Sequence, residues 1–407
     1  MPAYSGKFQY LDESGGTVSQ GPCQVNFDAE RCIVTPASGT PLAFDLGDID
    51  HAVPGEWDLQ LVLYTGRTVQ LRQFGAAFGR MTEELLAAWR DRTIQCLLLE
   101  DMEEVARFNA MVGQSPSEIR LYKTNLAVLP QGGAPFQWRL AEVSSVRFDS
   151  YTYNVTLEAG PEKLVVSKLA KKTEEFRGAL DETLDALHTH SADLLHQAFP
   201  FLNPDQLQRL VTAMPEGRSV TIAALAAIHP KLPDALIARA VDEPLKPYFD
   251  ALRARCNGGG LMAGFKFIWD DEKEQAADEA GEEQPDKVPL FFWFFFPLGS
   301  VVAWEATTGS GRATYFFRLA PGQKVEDAVA TLTRGLALVN FRREPVYLPD
   351  DSLEQQPRFH RYAIGCRKLP DLRALRSAFV GRGIHSTIEN WTAQVETMLK
   401  DNPPGRR

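Results

Sequence analysis

Through the first half of the chain, apolar side chains recur at every second position in short runs separated by turns. Twice this strand-like alternation gives way to a helical period, near Phe78 and again near Thr173. The pattern predicts antiparallel strands followed by one amphipathic helix, repeated once. Laying Glu30–Pro36 over Thr124–Pro130, an offset of 94, brings the two stretches together. Pro36 then meets Pro130, Phe44 and Leu46 meet Trp138 and Leu140, and Gly66 meets Gly160. Leu59, Leu61 and Leu63 meet Tyr153, Val155 and Leu157. One inserted residue between Gly66 and Val69 moves the offset to 95 and sets Val69, Leu71 and Phe74 over Leu164, Val166 and Leu169. In the helices Met81, Leu85 and Trp89 then lie over Phe176, Leu180 and Leu184. The insertion is placed in a turn because a one-residue slip inside a strand sends its apolar set to the solvent face.

Each repeat therefore reads as six or seven antiparallel strands in a curled sheet, with a helix covering the mouth so that apolar face and edges are closed together. In the second repeat a strand ends at Leu126–Pro130, a polar turn follows, and Leu140, Glu142, Val143 and Val146 come next. That run resembles the L-x-[DE]-[IV]-x-x-[IV] segment of pleckstrin-homology-like and GRAM-like domains. Leu46, Asp48, Ile49 and Ala52 echo it in the first repeat. The resemblance, to tandem bacterial proteins of this kind, covers residues 5–105 and 115–190. It implies binding or scaffolding, because the family is mostly non-catalytic. Both repeats lack the dense basic loop near the first hairpin that phosphoinositide-binding members carry.

Beyond residue 190 the pattern changes. Short helical segments stand between prolines, at Pro204–Thr212, Val220–Ile228, Pro233–Val241 and Pro244–Arg255. The second and third are spaced like a helix-turn-helix, but the second helix of that pair offers a nucleic acid only Arg239. Strands return at Phe265–Trp269, Leu290–Phe296, Val301–Ala306, Ala313–Leu319 and Tyr362–Cys366. Helices are expected at Val325–Leu338, Leu369–Ala378 and Thr387–Leu399, with a loop from Tyr347 to Pro357. The fold class is α+β: two tandem curled antiparallel sheets each capped by a C-terminal helix (PH-like), a small helical connector, and a C-terminal α+β domain. The boundaries fall at 1–110, 111–190, 191–257 and 258–407.

Composition narrows the function classes. The chain has 407 residues and a formal net charge of -10, which disfavours wholesale binding to nucleic acid or anionic membrane. Residues 270–287 hold nine acidic residues and almost nothing that could be buried, so an acidic disordered loop is expected there. Val288–Trp304 is uncharged over seventeen residues, but its prolines and central aromatics fit two buried strands better than a transmembrane segment. The opening MPAYSGKFQY has neither the basic nor the apolar region of a signal peptide. Five scattered cysteines in no CxxC pair point to a reducing, cytoplasmic setting.

The search for reagents yields little. His188 and His190 lie on opposite sides of a helix, no HExxH occurs, and no metal or cofactor is expected. The expected role is a non-catalytic protein-interaction or scaffolding protein with an unidentified protein partner. Candidate partner-binding residues are Lys168, Lys171, Lys172, Arg312, Phe291 and Trp293. Two alternatives stand beside it. One is an enzyme with a C-terminal-domain site drawing on Arg312, Arg342, Arg343, His360 and His385. The other is peripheral lipid or anionic-ligand binding at a membrane surface, through the three lysines of the second repeat.

Overall fold

The computed structural model describes residues 3–98, 103–160, 162–256, 260–267, 290–307 and 312–400. The acidic loop expected at 270–287, and residues 257–259 and 308–311, lie outside the described residues. The chain divides into two compact bodies. The first holds Met1–Leu184, Leu338–Asn340 and Leu348–Pro370; the second holds Asp185–Ala337, Phe341–Tyr347 and Asp371–Arg407.

The first body contains both repeats. Strands β1 (Ala3–Leu11), β2 (Thr17–Phe27), β3 (Arg31–Pro36), β4 (Leu42–Asp45), β5 (Ile49–Pro54), β6 (Asp58–Leu63) and β7 (Thr68–Arg72) form one antiparallel sheet. Its order is β4-β3-β2-β1-β7-β6-β5, and helix α1 (Phe78–Leu98) follows it. The second repeat has β8 (Glu104–Val112), β9 (Ser115–Tyr122), β10 (Asn125–Pro130), β11 (Phe136–Arg139), β12 (Ser145–Asp149), β13 (Asn154–Ala159) and β14 (Glu162–Ser167). Their order is the same, β11-β10-β9-β8-β14-β13-β12, and helix α2 (Thr173–Ala198) follows. This is the tandem arrangement of antiparallel sheet and C-terminal helix read from the alternation. Phe78, Met81, Leu85 and Trp89 are all buried in α1, and Thr173, Phe176, Leu180 and Leu184 are buried in α2. Spacings of three and four put each set on one helical face.

The repeat extends to the backbone. Gln73 and Lys168 both adopt positive φ (60° and 55°), as do Gly75 and Ala170 (55° and 54°), two residues on. Phe74 and Leu169 lie between them and point into their cores. In one respect the alignment needs correction. Leu59 and Leu61 pair with Leu71 and Val69, while Val155 and Leu157 pair with Val166 and Leu164. Leu59 therefore corresponds to Val155, not to Tyr153, and Leu61 to Leu157. The second repeat gains two residues in the β12–β13 hairpin and loses one in the turn before β14, in place of a single insertion. A two-residue shift keeps every side chain on its own face, so the apolar pattern cannot detect it.

The chain returns to the first body with two helices preceding Pro370. Before them come, in the second body, α3 (Pro204–Ala213), β15 (Ser219–Thr221), α4 (Ile222–Ile228), α5 (Leu232–Ala240) and α6 (Lys246–Arg255). Next are β16 (Met262–Phe267), β17 (Leu290–Leu298), β18 (Val301–Ala306) and β19 (Ala313–Arg318), then α7 (Val325–Leu338) and α8 (Glu344–Tyr347). The returning helices are α9 (Asp350–Gln355) and α10 (Pro357–Lys368); α11 (Pro370–Ala378), β20 (Phe379–Ile384) and α12 (Ile388–Lys400) complete the chain. Two expectations fail here. The strand expected at Tyr362–Cys366 is the middle of α10, and the loop expected from Tyr347 to Pro357 contains α9. Phe359, Tyr362 and Ala363 are buried at helical spacing, and Pro357 stands at the first helical turn, where its missing N–H costs nothing.

The second body is built on a six-stranded antiparallel sheet, β15-β16-β17-β18-β19-β20. Ser219–Thr221, read as connector, is its edge strand. All of β16, all of β18 and the first seven residues of β17 are buried. Such a strand has both faces covered and needs no polar alternation. Phe249 of α6 packs edge-on to Phe294 and Phe296 on one face, and Phe341 lies 4.1 Å from the Trp293 ring on the other.

Candidate functional site

The three lysines chosen from the sequence sit at the entrance to α2, beside the β12–β13 hairpin. The hairpin is shaped by Asp149. Its carboxylate accepts the Thr152 hydroxyl at 2.7 Å and the Tyr151 N–H at 2.9 Å, and the Thr152 bond foremost holds its carboxyl below the usual range. The tip places Tyr151 94% and Tyr153 60% exposed. A groove of about 450 Å³ runs between this tip and the Ser167–Ala170 bend, lined among others by Thr152, Tyr153, Lys168 and Leu169. Lys168, Lys171 and Lys172 are exposed, and among the described residues no carboxylate lies within ion-pairing distance of them. Lys172 lies 5.9 Å over the Phe108 ring. The rest of the basic cluster is already engaged: Lys163 binds Glu158 at 2.9 Å, and Arg177 pairs with Glu174 while covering Phe148.

The first repeat has a matching hairpin with Trp57 69% exposed at its tip. No lysine accompanies it, since Gln73, Ala76 and Ala77 stand where the second repeat has Lys168, Lys171 and Lys172. Its distinguishing feature lies at the opposite, β4 end. Arg92 donates to both oxygens of Asp45 at 3.0 and 2.8 Å, with each side chain only 9% exposed. Nothing in the sequence links two residues 47 apart. Helix α10 packs on the same turn: Arg367 binds Asp48 at 2.7 Å, and Lys368 donates to the Ile49 carbonyl. Burial pushes the Asp48 carboxyl up and the Lys368 ammonium down.

The remaining candidates are placed differently from expectation. Phe291 and Trp293 belong to β17 and are buried, so they offer no accessible surface for a partner. Trp293 donates its indole N–H to Ser219 Oγ at 2.9 Å and lies against Gly264, where a Cβ would come within 2.4 Å of the ring. Arg312 is held by both oxygens of Asp242 at 2.6 Å. Of the five residues of the enzyme alternative, His360 belongs to the first body and the other four to the second.

His385 instead joins a polar cluster that the sequence reading missed. Thr314 donates to Glu305 at 2.6 Å, accepts the Trp391 indole N–H at 3.0 Å, and lies 3.1 Å from His385 Nε2. Glu305 is fully buried, and its Oε2 is 3.4 Å from the same imidazole nitrogen. Tyr248 stacks flat on His385 at 4.0 Å. Among the described residues Glu305 Oε1 and His385 Nδ1 have no hydrogen-bond partner. A charged residue inside the otherwise apolar run Val301–Ala306 was the available signal. Among the described residues no cluster of His, Cys, Asp and Glu could hold a metal ion, and no helix is long and apolar enough to cross a membrane.

No family model matches the sequence, and no curated protein matches it. Among solved structures, the Spt16D–Pob3N heterodimer structure has a chain that is 12% identical, covering 43% of this chain and 86% of that one, with a TM-score of 0.18.

Proposed function

We propose that the chain is a non-catalytic, cytoplasmic interaction protein of the tandem PH-like and GRAM-like kind. Its second repeat receives an acidic segment of a partner protein in the groove between the β12–β13 hairpin and Lys168. The observation that carries this reading is Tyr153 and Lys168 lining one groove, with Tyr151 exposed at the same hairpin tip, Lys171 and Lys172 exposed just after the bend, and no carboxylate bound to the three lysines among the described residues. Exposed tyrosines are efficient anchors because they bury much area at little entropic cost. Uncompensated lysines steer an acidic chain towards the groove, against the negative charge of the rest of the molecule. The bend at Lys168 and Ala170 fixes the groove wall in both φ-positive positions, so the site is preformed. The five cysteines are scattered along the chain and in no CxxC pair, which supports a reducing compartment.

The test is fluorescence anisotropy of the full chain with an Asp/Glu-rich peptide carrying one Phe and one Leu, in parallel with flotation on anionic vesicles. Binding of the peptide should weaken by at least about tenfold when Lys168, Lys171 and Lys172 become Glu, and should also weaken in Tyr151→Ala. Peptide binding indifferent to both variants would remove the reading. Lysine-dependent binding to vesicles without binding to the peptide would replace it with the membrane alternative.

A further inference from the structure

The first repeat carries a second site, at the end remote from its hairpin tip. A cavity of about 580 Å³ opens where β4 and α1 meet α9 and the start of α10. This volume lies within the range typical of small-molecule sites, about 300–1,000 Å³. Its lining is almost entirely polar: four guanidiniums (Arg31, Arg92, Arg358, Arg361), the His360 imidazole, and the carboxylates of Glu30, Asp45 and Glu354.

The carboxylates are largely engaged. Arg92 takes both oxygens of Asp45 and reaches Glu30 at 3.6 Å. Glu354 is bound by Arg367 and approached by His360. Among the described residues no carboxylate comes within ion-pairing distance of the Arg31, Arg358 or Arg361 guanidiniums. Arg358 only covers the Phe359 ring, and Arg361 only reaches Tyr362. The cavity thus holds three guanidinium forks with no carboxylate partner among the described residues, next to the buried Arg92–Asp45 pair. The twelve-residue helix α10 begins at its wall without a side-chain cap and with no acid in its first turn. Its orphan N–H groups and dipole add to the positive field.

We infer that this cavity binds a small, multiply charged phosphate compound, of the inorganic phosphate or diphosphate class. The lining has no Phe, Tyr or Trp ring and no aliphatic side chain beyond Pro357, so it offers little to a nucleobase or an acyl chain. A monocarboxylate would satisfy one fork and leave two. A diphosphate has oxygens enough for all three, in the bidentate geometry that guanidinium favours.

Isothermal titration of the full chain with pyrophosphate, phosphate and citrate, at constant ionic strength, tests this. Pyrophosphate should bind, and Arg358→Glu and Arg361→Glu should each weaken it by about tenfold or more, with melting temperatures close to the parent. The triple lysine-to-glutamate variant of the second repeat should bind it as the parent does, which separates this site from the groove. No heat with pyrophosphate at millimolar concentration would overturn the inference. So would parental affinity in both arginine variants, or tighter binding of citrate than of pyrophosphate.

Discussion

The two repeats are the same unit put to different uses. Each has seven strands in the same order, the same pair of φ-positive residues before its helix, and the same helical stripe in its core. The first repeat has turned its β4 end inward. Asp45 and Arg92 form a buried pair there, and Gly47 lets α10 come close, since a Cβ on it would meet Ile364 at 2.8 Å and Cys96 at 3.1 Å. The second repeat has Arg139, Leu187 and Ala141 at those three positions, a set that cannot make the pair and adds the Cβ that close docking excludes. Its own specialisation is at the hairpin, where two added residues carry the tyrosines past the sheet and lysines replace Gln73, Ala76 and Ala77. A duplicated scaffold thus permits one copy to gather the chain's own helices while the other keeps an open groove.

That contrast can be broken most forcefully at Arg92. Arg92→Ala leaves the buried Asp45 carboxylate with only the Gly47 N–H at 2.7 Å and His360 at 3.6 Å, and urea unfolding should show a loss of about 3–5 kcal/mol. Asp45→Asn with Arg92→Leu, which removes both charges together, should recover much of it. Gly47→Ala comes next. The clash with Ile364 and Cys96 should cost about 1–3 kcal/mol, whereas Ala141→Gly in the second repeat should cost under about 1 kcal/mol.

A reciprocal pair then sharpens the equivalence itself. Gly75 has open space around its missing Cβ, so Gly75→Ala pays only for the left-handed backbone, about 1–2 kcal/mol. Ala170 already bears that strain, and Ala170→Gly should raise stability by up to about 1 kcal/mol despite the greater freedom glycine has when unfolded. Matching changes of opposite sign would confirm that the two bends are one structural position.

The smallest signal is a slope with pH. Burial holds the Lys368 ammonium below its ordinary value of 10.5. The unfolded chain therefore binds that proton more tightly than the folded one, and this contribution to stability rises as pH climbs from the depressed value to 10.5. Comparing the parent with Lys368→Met across that interval isolates the contribution: the parent should gain stability relative to the variant as pH rises.

What was legible in the sequence follows from period. Leu46 over Leu140 and Met81 over Phe176 are readable because a strand or helix must keep its apolar set on one face. The two-residue shift at Leu59 was unreadable for the same reason, since it changes no face. Continuous burial of Phe291–Phe296 was legible as an uninterrupted apolar run; that the run lies inside the sheet, and so cannot serve a partner, required its neighbours. Tyr362–Cys366 misled because Tyr, Ile and Cys suit strands, although Phe359, Tyr362 and Ala363 already showed the helical spacing. Arg92 with Asp45, and Glu305 with His385, are distant in the chain and meet only through tertiary packing.

The most direct measurement is hydrogen exchange of the full chain with and without the acidic peptide. The account predicts slowed exchange at residues 150–154 and 167–173 of the second repeat, with no change at 55–58 and 73–77 of the first. Protection of the first repeat's hairpin instead, or equal protection of both, would contradict the division of labour between the two copies.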